Sequence, residues 1–262
     1  MNIVAHQDDD LLFMNPDLQN EINSGYCIRS IYLTAGDSGK DSHYWLGREQ
    51  GSEAAYSYML GKPQAWIQRE VRLPEGQYVS IDHPAGNDKI SLIYFRLPDG
   101  SPNGDGFKGD NYESLAKLNT SKIRQINSID GQSSYSSSQL NDALVALMET
   151  YLPTKIQTQA NLVSSQYPDH SDHMTAGRIA TQANKLFVNA QYANQLVIPI
   201  IYYVGYPIHQ FPSNVTGQDL INKENAFYSY GKFDDGACHD EQSCNAGTAY
   251  FFYLTRQYQN PY

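Results

Sequence analysis

The sequence is short of positive charge. Its 18 Lys and Arg stand against 28 Asp and Glu, a formal net charge of −10, and no basic cluster is present to neutralise phosphates, so nucleic acid is not an expected partner. Long hydrophobic runs are missing as well. No uninterrupted apolar stretch approaches the roughly 18 to 20 residues that span a bilayer, which excludes a transmembrane segment. With 19 Gly and 12 Pro in 262 residues, neither a collagen-like chain nor wholesale disorder is expected. Serine hydrolase chemistry has little support, because no G-x-S-x-G pattern surrounds Ser38, Ser42 or the other serines. There are only three cysteines. Cys238 and Cys244 flank a polar stretch, CHDEQSC, and are expected to close a short disulfide, leaving Cys27 buried at the start of a strand.

The rest of the chain reads as one large α/β domain. Hydrophobic residues make up 40% of it, enough for a substantial core. Strands are expected at Asn2 to Ala5, Cys27 to Thr34, Trp66 to Leu73, Ile90 to Leu97, Lys155 to Val163 and Leu196 to Tyr203. Helices are expected at Pro16 to Ser24, capped by Asn15 and ended by Gly25, and at Tyr44 to Leu60, stopped by Gly61. Further helices fit Tyr112 to Leu118, Ser138 to Tyr151 and Asp172 to Val188, with Gly131 to Ser138 as a surface turn. Strands alternating with helices predict a Rossmann-like, mostly parallel sheet with helices on both faces. Ligands of such sheets bind beyond the carboxyl ends of the strands, where the strand order switches.

The chemistry starts where the first strand stops. His6-Gln7-Asp8-Asp9-Asp10 joins an imidazole to three consecutive carboxylates, a concentration of negative charge that a divalent metal would neutralise. His6 with one of the three aspartates supplies two ligands, and a neighbouring carboxylate is free to accept a proton from water. A catalytic zinc site wants three protein ligands and an open position. The third ligand is expected from Asp169-His170-Ser171-Asp172-His173, where a loop turns into a helix and the i, i+3 spacing lets His170 and His173 face the same way. Asp169 and Asp172 are placed to fix imidazole tautomers.

These two motifs resemble the PIG-L/LmbE-like de-N-acetylases, zinc-dependent enzymes that remove acetyl groups from N-acetylglucosamine-type sugars. The likeness covers Met1 to Gly61, including Tyr32-Leu33-Thr34-Ala35-Gly36-Asp37 and Gly47-Arg48-Glu49, and the region from Asp169 to Ala180; it is weaker between them and ends by Tyr206. The resemblance implies His6, Asp9 and His173 as Zn2+ ligands, although another divalent metal would serve. It implies Asp8 as general base, His170, held by Asp172, as oxyanion stabiliser or acid, and Arg48 as a substrate contact. Gln7 stands where the family usually has proline and Asp10 where glutamate is common, departures that point to a subfamily with its own substrate. Residues 1–206 would then form the de-N-acetylase-like domain, with 207–262 packed on it as an extension, expected as a helix pair.

The substrate expected from this resemblance is an N-acetylated sugar or glycoconjugate. Two alternatives stay open: a metallohydrolase acting on another amide or ester, and a non-catalytic metal-dependent carbohydrate-binding module. The N-glycosylation patterns at Asn119 and Asn214, the few lysines and the disulfide fit a secreted or extracellular protein, and a sequence opening directly on a strand-like run fits a mature or trimmed chain. Asp99 to Asp110 follows the EF-hand loop only superficially. Ser101, Pro102 and the strand-like entry oppose calcium there, so a loop bordering the cleft is expected instead. His43, His83, His209 and His239 lack partners at ligand spacing and are expected outside the site.

Overall fold

Parallel strands covered on both faces have no polar side to show, and the central strands here are written that way. β1 (Asn2–Val4) is wholly buried, as is all but one residue of β2 (Ile28–Thr34). Between them lie two short helices, α1 (Asp9–Phe13) and α2 (Asp17–Asn23). α3 (Ser42–Met59), capped by the Asp41 side chain, leads to β3 (Trp66–Arg72), β4 (Tyr78–Pro84) and the fully buried β5 (Ile90–Leu97). Then come α4 (Leu115–Asn119) and a small ribbon of β6 (Ile126–Asn127) and β7 (Ser134–Tyr135). The chain continues through α5 (Ser137–Tyr151), β8 (Ile156–Gln159), α6 (Ser171–Tyr192) and β9 (Ile200–Tyr203) to α7 (Gly217–Gly231), α8 (Ala249–Leu254) and β10 (Gln259–Asn260). The structure is a computed structural model that describes residues 1–160, 168–192, 197–245 and 247–260.

The main sheet runs in the order β10-β9-β8-β1-β2-β5-β4-β3. Strands β9, β8, β1, β2 and β5 are parallel, and the antiparallel strands lie at the two sides. This is the mostly parallel α/β architecture that the alternation of elements predicts. Side chains alternate between two cores. Ile3, Ile31, Leu33, Ile93 and Phe95 face α5 and α6, whereas Val4, Tyr32, Leu92 and Tyr94 face α1, α3 and α7. Edge strand β3 is mostly exposed and carries Arg69, Glu70 and Arg72, charges that discourage pairing with another sheet.

Several expectations need correction. A helix not expected from the sequence, α1, follows β1, with Asp9 and Asp10 in its first turn. Strand β4 was hidden by the polar Ser80, Asp82 and His83 in its sequence; it pairs antiparallel with β3 and β5. Pro16, not Asn15, is the N-cap of α2, although Asn15 Oδ1 still accepts from the Gln19 backbone N–H (3.1 Å). The helix expected at Tyr112 starts later, at Leu115, because Asn111 and Tyr112 adopt left-handed backbone and Ser114 supplies the cap. The Ser-rich turn contains β7, with Tyr135 buried under it. Cys27 is exposed rather than buried, as it precedes the first residue of β2. Of the strands expected at Lys155 to Val163 and Leu196 to Tyr203, residues 161–163 and 196 lie outside the described residues.

The C-terminal segment is woven into the domain. α7 packs along α3, and β10 pairs with β9 to extend the main sheet. Cys238 and Cys244 are joined by a disulfide just after α7.

Candidate active site

The strand order reverses at β1. The chain crosses from β1 to β2 on one side and reaches β8, on the other side of β1, only much later. The crevice beyond the carboxyl ends of β1 and β8 is the switch point of this sheet. His6, Asp8 and Asp9 follow β1 directly, and His170, Asp172 and His173 come from the start of α6, which follows β8.

The two motifs, 167 residues apart, meet there. His6 Nδ1 lies 3.2 Å from His173 Nε2, His173 Nε2 lies 3.0 Å from Asp9 Oδ1, and His6 Nδ1 lies 3.4 Å from Asp9 Oδ2. All three residues are buried. Tetrahedral ligands on bonds of about 2.0–2.1 Å sit about 3.3–3.4 Å apart, so this donor set has the spacing and the chemistry of a divalent metal site. His170 brings a third imidazole near; nitrogens of His6, His170 and His173 lie within 4.8 Å of one another.

The outer face of each imidazole points the same way. His173 Nδ1 is bonded to Asp169 Oδ1 (2.8 Å), which directs the Nε2 lone pair inward. His6 Nε2 makes no hydrogen bond and lies 3.5 Å from Asp172 Oδ2. Asp172 therefore attends His6 more closely than His170, whose Nδ1 is 3.8 Å away. Asp172 is itself held by the Gly100 N–H (2.7 Å). Glycine is required at two of these contacts: a Cβ on Gly100 would stand 2.4 Å from Asp172 Oδ1, and one on Gly205 would stand 2.2 Å from Asp169 Oδ2.

The electrostatics ask for a cation among these groups. Burial opposes charge on His173, but Asp9 and Asp169 push its imidazole up to about 10. Burial would likewise raise the Asp9 carboxyl, yet His173 and His6 hold it well below the usual carboxylate range. A proton or a divalent metal can supply that positive charge. His170 behaves oppositely. Burial and the neighbouring His6 and His173 push its imidazole down, and its Nδ1 accepts from the Asp172 backbone N–H (3.2 Å). With Nδ1 occupied by that N–H, Nε2 is left as the ring's donor.

Asp8 is held differently. Its Oδ1 accepts from Arg48 Nη2 (2.7 Å), while Arg48 also donates from Nη1 to Gly36 O (2.6 Å) and from Nε to Tyr230 Oη (2.7 Å), with Asp234 Oδ2 3.1 Å from Nε. The Tyr230 hydroxyl in turn donates to Asp234 (2.5 Å). Arg48 lines the cleft, but its guanidinium is clamped to Asp8 and to the C-terminal segment. Asp10 faces away into the protein, accepting from the Tyr56 (2.6 Å) and Tyr32 (3.0 Å) hydroxyls.

A cavity of about 250 Å³ opens over these residues, walled by His6, Asp8, His170, Asp99 and the aromatic rings of Tyr44, Phe107, Tyr206 and Tyr250. The loop after β5 thus borders the cleft through Asp99, Pro102 and Phe107. Among the expected site residues, His6, Asp8, Asp9, Arg48, His170, Asp172 and His173 all converge here, whereas the disulfide lies outside the cavity. Sequence reasoning missed Tyr230, Asp234 and Tyr250. No motif marks them; only the fold brings them to the cleft.

Comparison with known proteins bears on this site. Residues 1–80 match the family model described as GlcNAc-PI de-N-acetylase, PIG-L. No curated protein matches the chain. The hydratase GalB of Pseudomonas putida, which acts on 4-carboxy-2-hydroxymuconate, is 11% identical over 96% of this chain and 81% of its own, with a TM-score of 0.50. The conserved protein TT1542 of Thermus thermophilus is 16% identical over 99% and 91%, TM-score 0.48. N,N'-diacetylchitobiose deacetylase of Pyrococcus horikoshii is 14% identical over 88% and 69%, TM-score 0.49. The hydratase shows that this fold alone does not name a reaction. The PIG-L likeness read from the sequence stands on the family match itself, which spans β1, the His6 to Asp10 run, β2 and α3.

Proposed function

We propose that the protein is a metal-dependent hydrolase that removes the acetyl group from an N-acetylglucosamine-type sugar or glycoconjugate. The observation that carries this reading is the meeting of His6, Asp9 and His173 at metal-ligand spacing beside Asp8, at the mouth of a cavity large enough for a sugar ring. The family match over residues 1–80 supports the same chemistry.

His6, Asp9 and His173 would hold the metal, with zinc the best fit to a donor set of two imidazoles and one carboxylate. When bound, such a metal supplies Lewis acidity, polarising a carbonyl and acidifying water. The chain's own groups do the rest. Asp8, with Oδ1 fixed by Arg48, keeps Oδ2 to take the proton of the attacking water. His170 Nε2–H, oriented by the backbone N–H on Nδ1, donates to the oxygen that gains charge as the acetamide carbonyl becomes tetrahedral. The proton collected by Asp8 then goes to the departing amine, releasing acetate and an amino sugar. The rings of Tyr44 and Tyr206 line the walls of the cavity.

The Cys238–Cys244 disulfide supports an extracellular setting, since such bonds persist in oxidising compartments. Asn119 is the better glycosylation acceptor of the two, because the exposed Asn214 is tied through its amide to both the O (2.7 Å) and N (2.9 Å) of Gln257.

The test is elemental analysis of the purified protein joined to an acetate-release assay over a panel of N-acetylhexosamine compounds, before and after chelation. Stoichiometric metal and acetate release that chelation abolishes are expected. Sugar binding without acetate would favour a carbohydrate-binding module, and turnover of simple esters alone would favour the other metallohydrolase reading.

A further inference from the structure

We infer that the substrate is an extended oligosaccharide chain, uncharged beside the reacting sugar and held in a groove that runs from the active-site cavity along the seam of α3 and α7. This rests on the de-N-acetylase reading and narrows its substrate class. Three cavities share their walls in sequence. Tyr44 lines both the active-site cavity and a second one of about 330 Å³, and Lys232 and Phe233 line both that second cavity and a third of about 520 Å³. The largest of these three cavities is therefore not the one with the chemistry but the far end of a track leading to it.

The track is long enough for several sugar rings. Tyr44 and Tyr58 mark its ends on α3, fourteen residues apart, which at 1.5 Å per residue is about 21 Å. Its floor has the mixture that sugars need. Phe233 (44% exposed), Tyr58 (39%) and Leu46 (37%) present apolar surface, while Gln50 and Gln64 offer amide donors and acceptors. Aromatic side chains combine a flat apolar face with, in tyrosine, a polar edge, which suits pyranose rings.

The charge argues for an uncharged group beside the reacting sugar, since the lysines of the track, Lys232 and Lys62, line only its second and third cavities. Asp8, Asp99 and Asp234 line the active-site cavity, and the one arginine there, Arg48, is already held by Asp8 and Asp234. No cation in that cavity's lining is left to receive a phosphate, so a phosphorylated aglycone next to the reacting sugar would meet carboxylates.

The test uses β-linked N-acetylglucosamine mono-, di-, tetra- and hexasaccharides, with affinity read by calorimetry and acetate release as kcat/KM. Both should rise with chain length, by about tenfold or more from di- to hexasaccharide. Phe233→Ala should cost the hexasaccharide about tenfold more affinity than it costs the monosaccharide. Tyr58→Ala, at the far end, should weaken only the longest chain, and it serves independently should Phe233→Ala fold poorly. Equal affinity at all lengths, or variants that leave the length dependence intact, would overturn the groove. Binding that rises with length without acetate release would instead keep the groove and sink the hydrolase reading.

Discussion

At the scale of single residues, the proposed function separates groups that would hold a metal from groups that would move a proton, and substitutions should separate them too. His173→Ala removes a buried ligand whose Nε2 faces Asp9 and His6, so the purified variant should contain little metal by elemental analysis. Asp8→Ala should keep its metal and lose about 10²- to 10⁴-fold in acetate release, the usual worth of a positioned base. A fully active Asp8→Ala protein would refute that role. Asp169 tests the support behind the ligands. Its Oδ1 fixes His173 Nδ1 at 2.8 Å, and removing such an outer partner typically costs about 10- to 100-fold in metal affinity. Asp169→Ala should show that loss in competition with a chromogenic chelator, while an unchanged affinity would mean that α6 alone orients His173. The clustering of His6, Asp9 and His173 was legible in the sequence because metal chemistry restricts residue types and spacing. The hydrogen bond on His170 Nδ1 was not legible, since it comes from a backbone N–H that folding brings to the ring.

At the scale of elements, the helices and buried strands announce themselves through apolar runs and caps, while elements stabilised by polar contacts do not. β4 illustrates the second kind. Its Asp82 is buried under α3 beside Glu53, and burial together with the Glu53 carboxylate pushes the Asp82 carboxyl up to about 7. A strand carrying a buried acid reads as a loop when only its composition is seen. The consequence for stability follows from the direction of this displacement. The folded state holds the Asp82 proton more tightly than the unfolded chain, so this contribution is fully present below about pH 4 and is lost as pH rises through about 7. Asp82→Asn, which cannot ionise, should flatten that decline. Each tenfold change in proton affinity corresponds to about 1.4 kcal/mol, and the loss of stability between about pH 4 and pH 8 should shrink by about 2 kcal/mol or more in urea denaturation at fixed pH. Parallel curves for the two proteins would show that Asp82 keeps the same proton affinity on folding.

At the scale of the whole molecule, the chemistry belongs to more of the chain than its motifs suggest. Residues beyond Tyr206 carry no likeness that the sequence reveals, yet α7 covers one core with Ala226 and Phe227, and the turn after it delivers Asp234 to Arg48. Nothing in the sequence marks this, because Tyr230 and Asp234 act through a guanidinium donated by α3, a partner 182 residues away in the case of Tyr230. Asp8, the proposed base, is thus positioned by a chain of contacts, Asp8 to Arg48 to Tyr230 and Asp234, that ties the segment after the first strand to the last third of the protein. Tyr230→Phe tests that chain with the least disturbance of packing. It deletes only the hydroxyl that accepts from Arg48 and donates to Asp234, at a cost of about 1.5–3 kcal/mol for hydrogen bonds to charged partners. With Arg48 less constrained, kcat should fall by about tenfold or more while metal content stays at the wild-type level. The positioning role also has its own signature: the pH profile of kcat should move, because Arg48 is the cation that holds the Asp8 carboxylate. A variant with lowered stability but an unchanged kcat and pH profile would make Tyr230 a packing residue, and the link between the C-terminal segment and the base would fall with it.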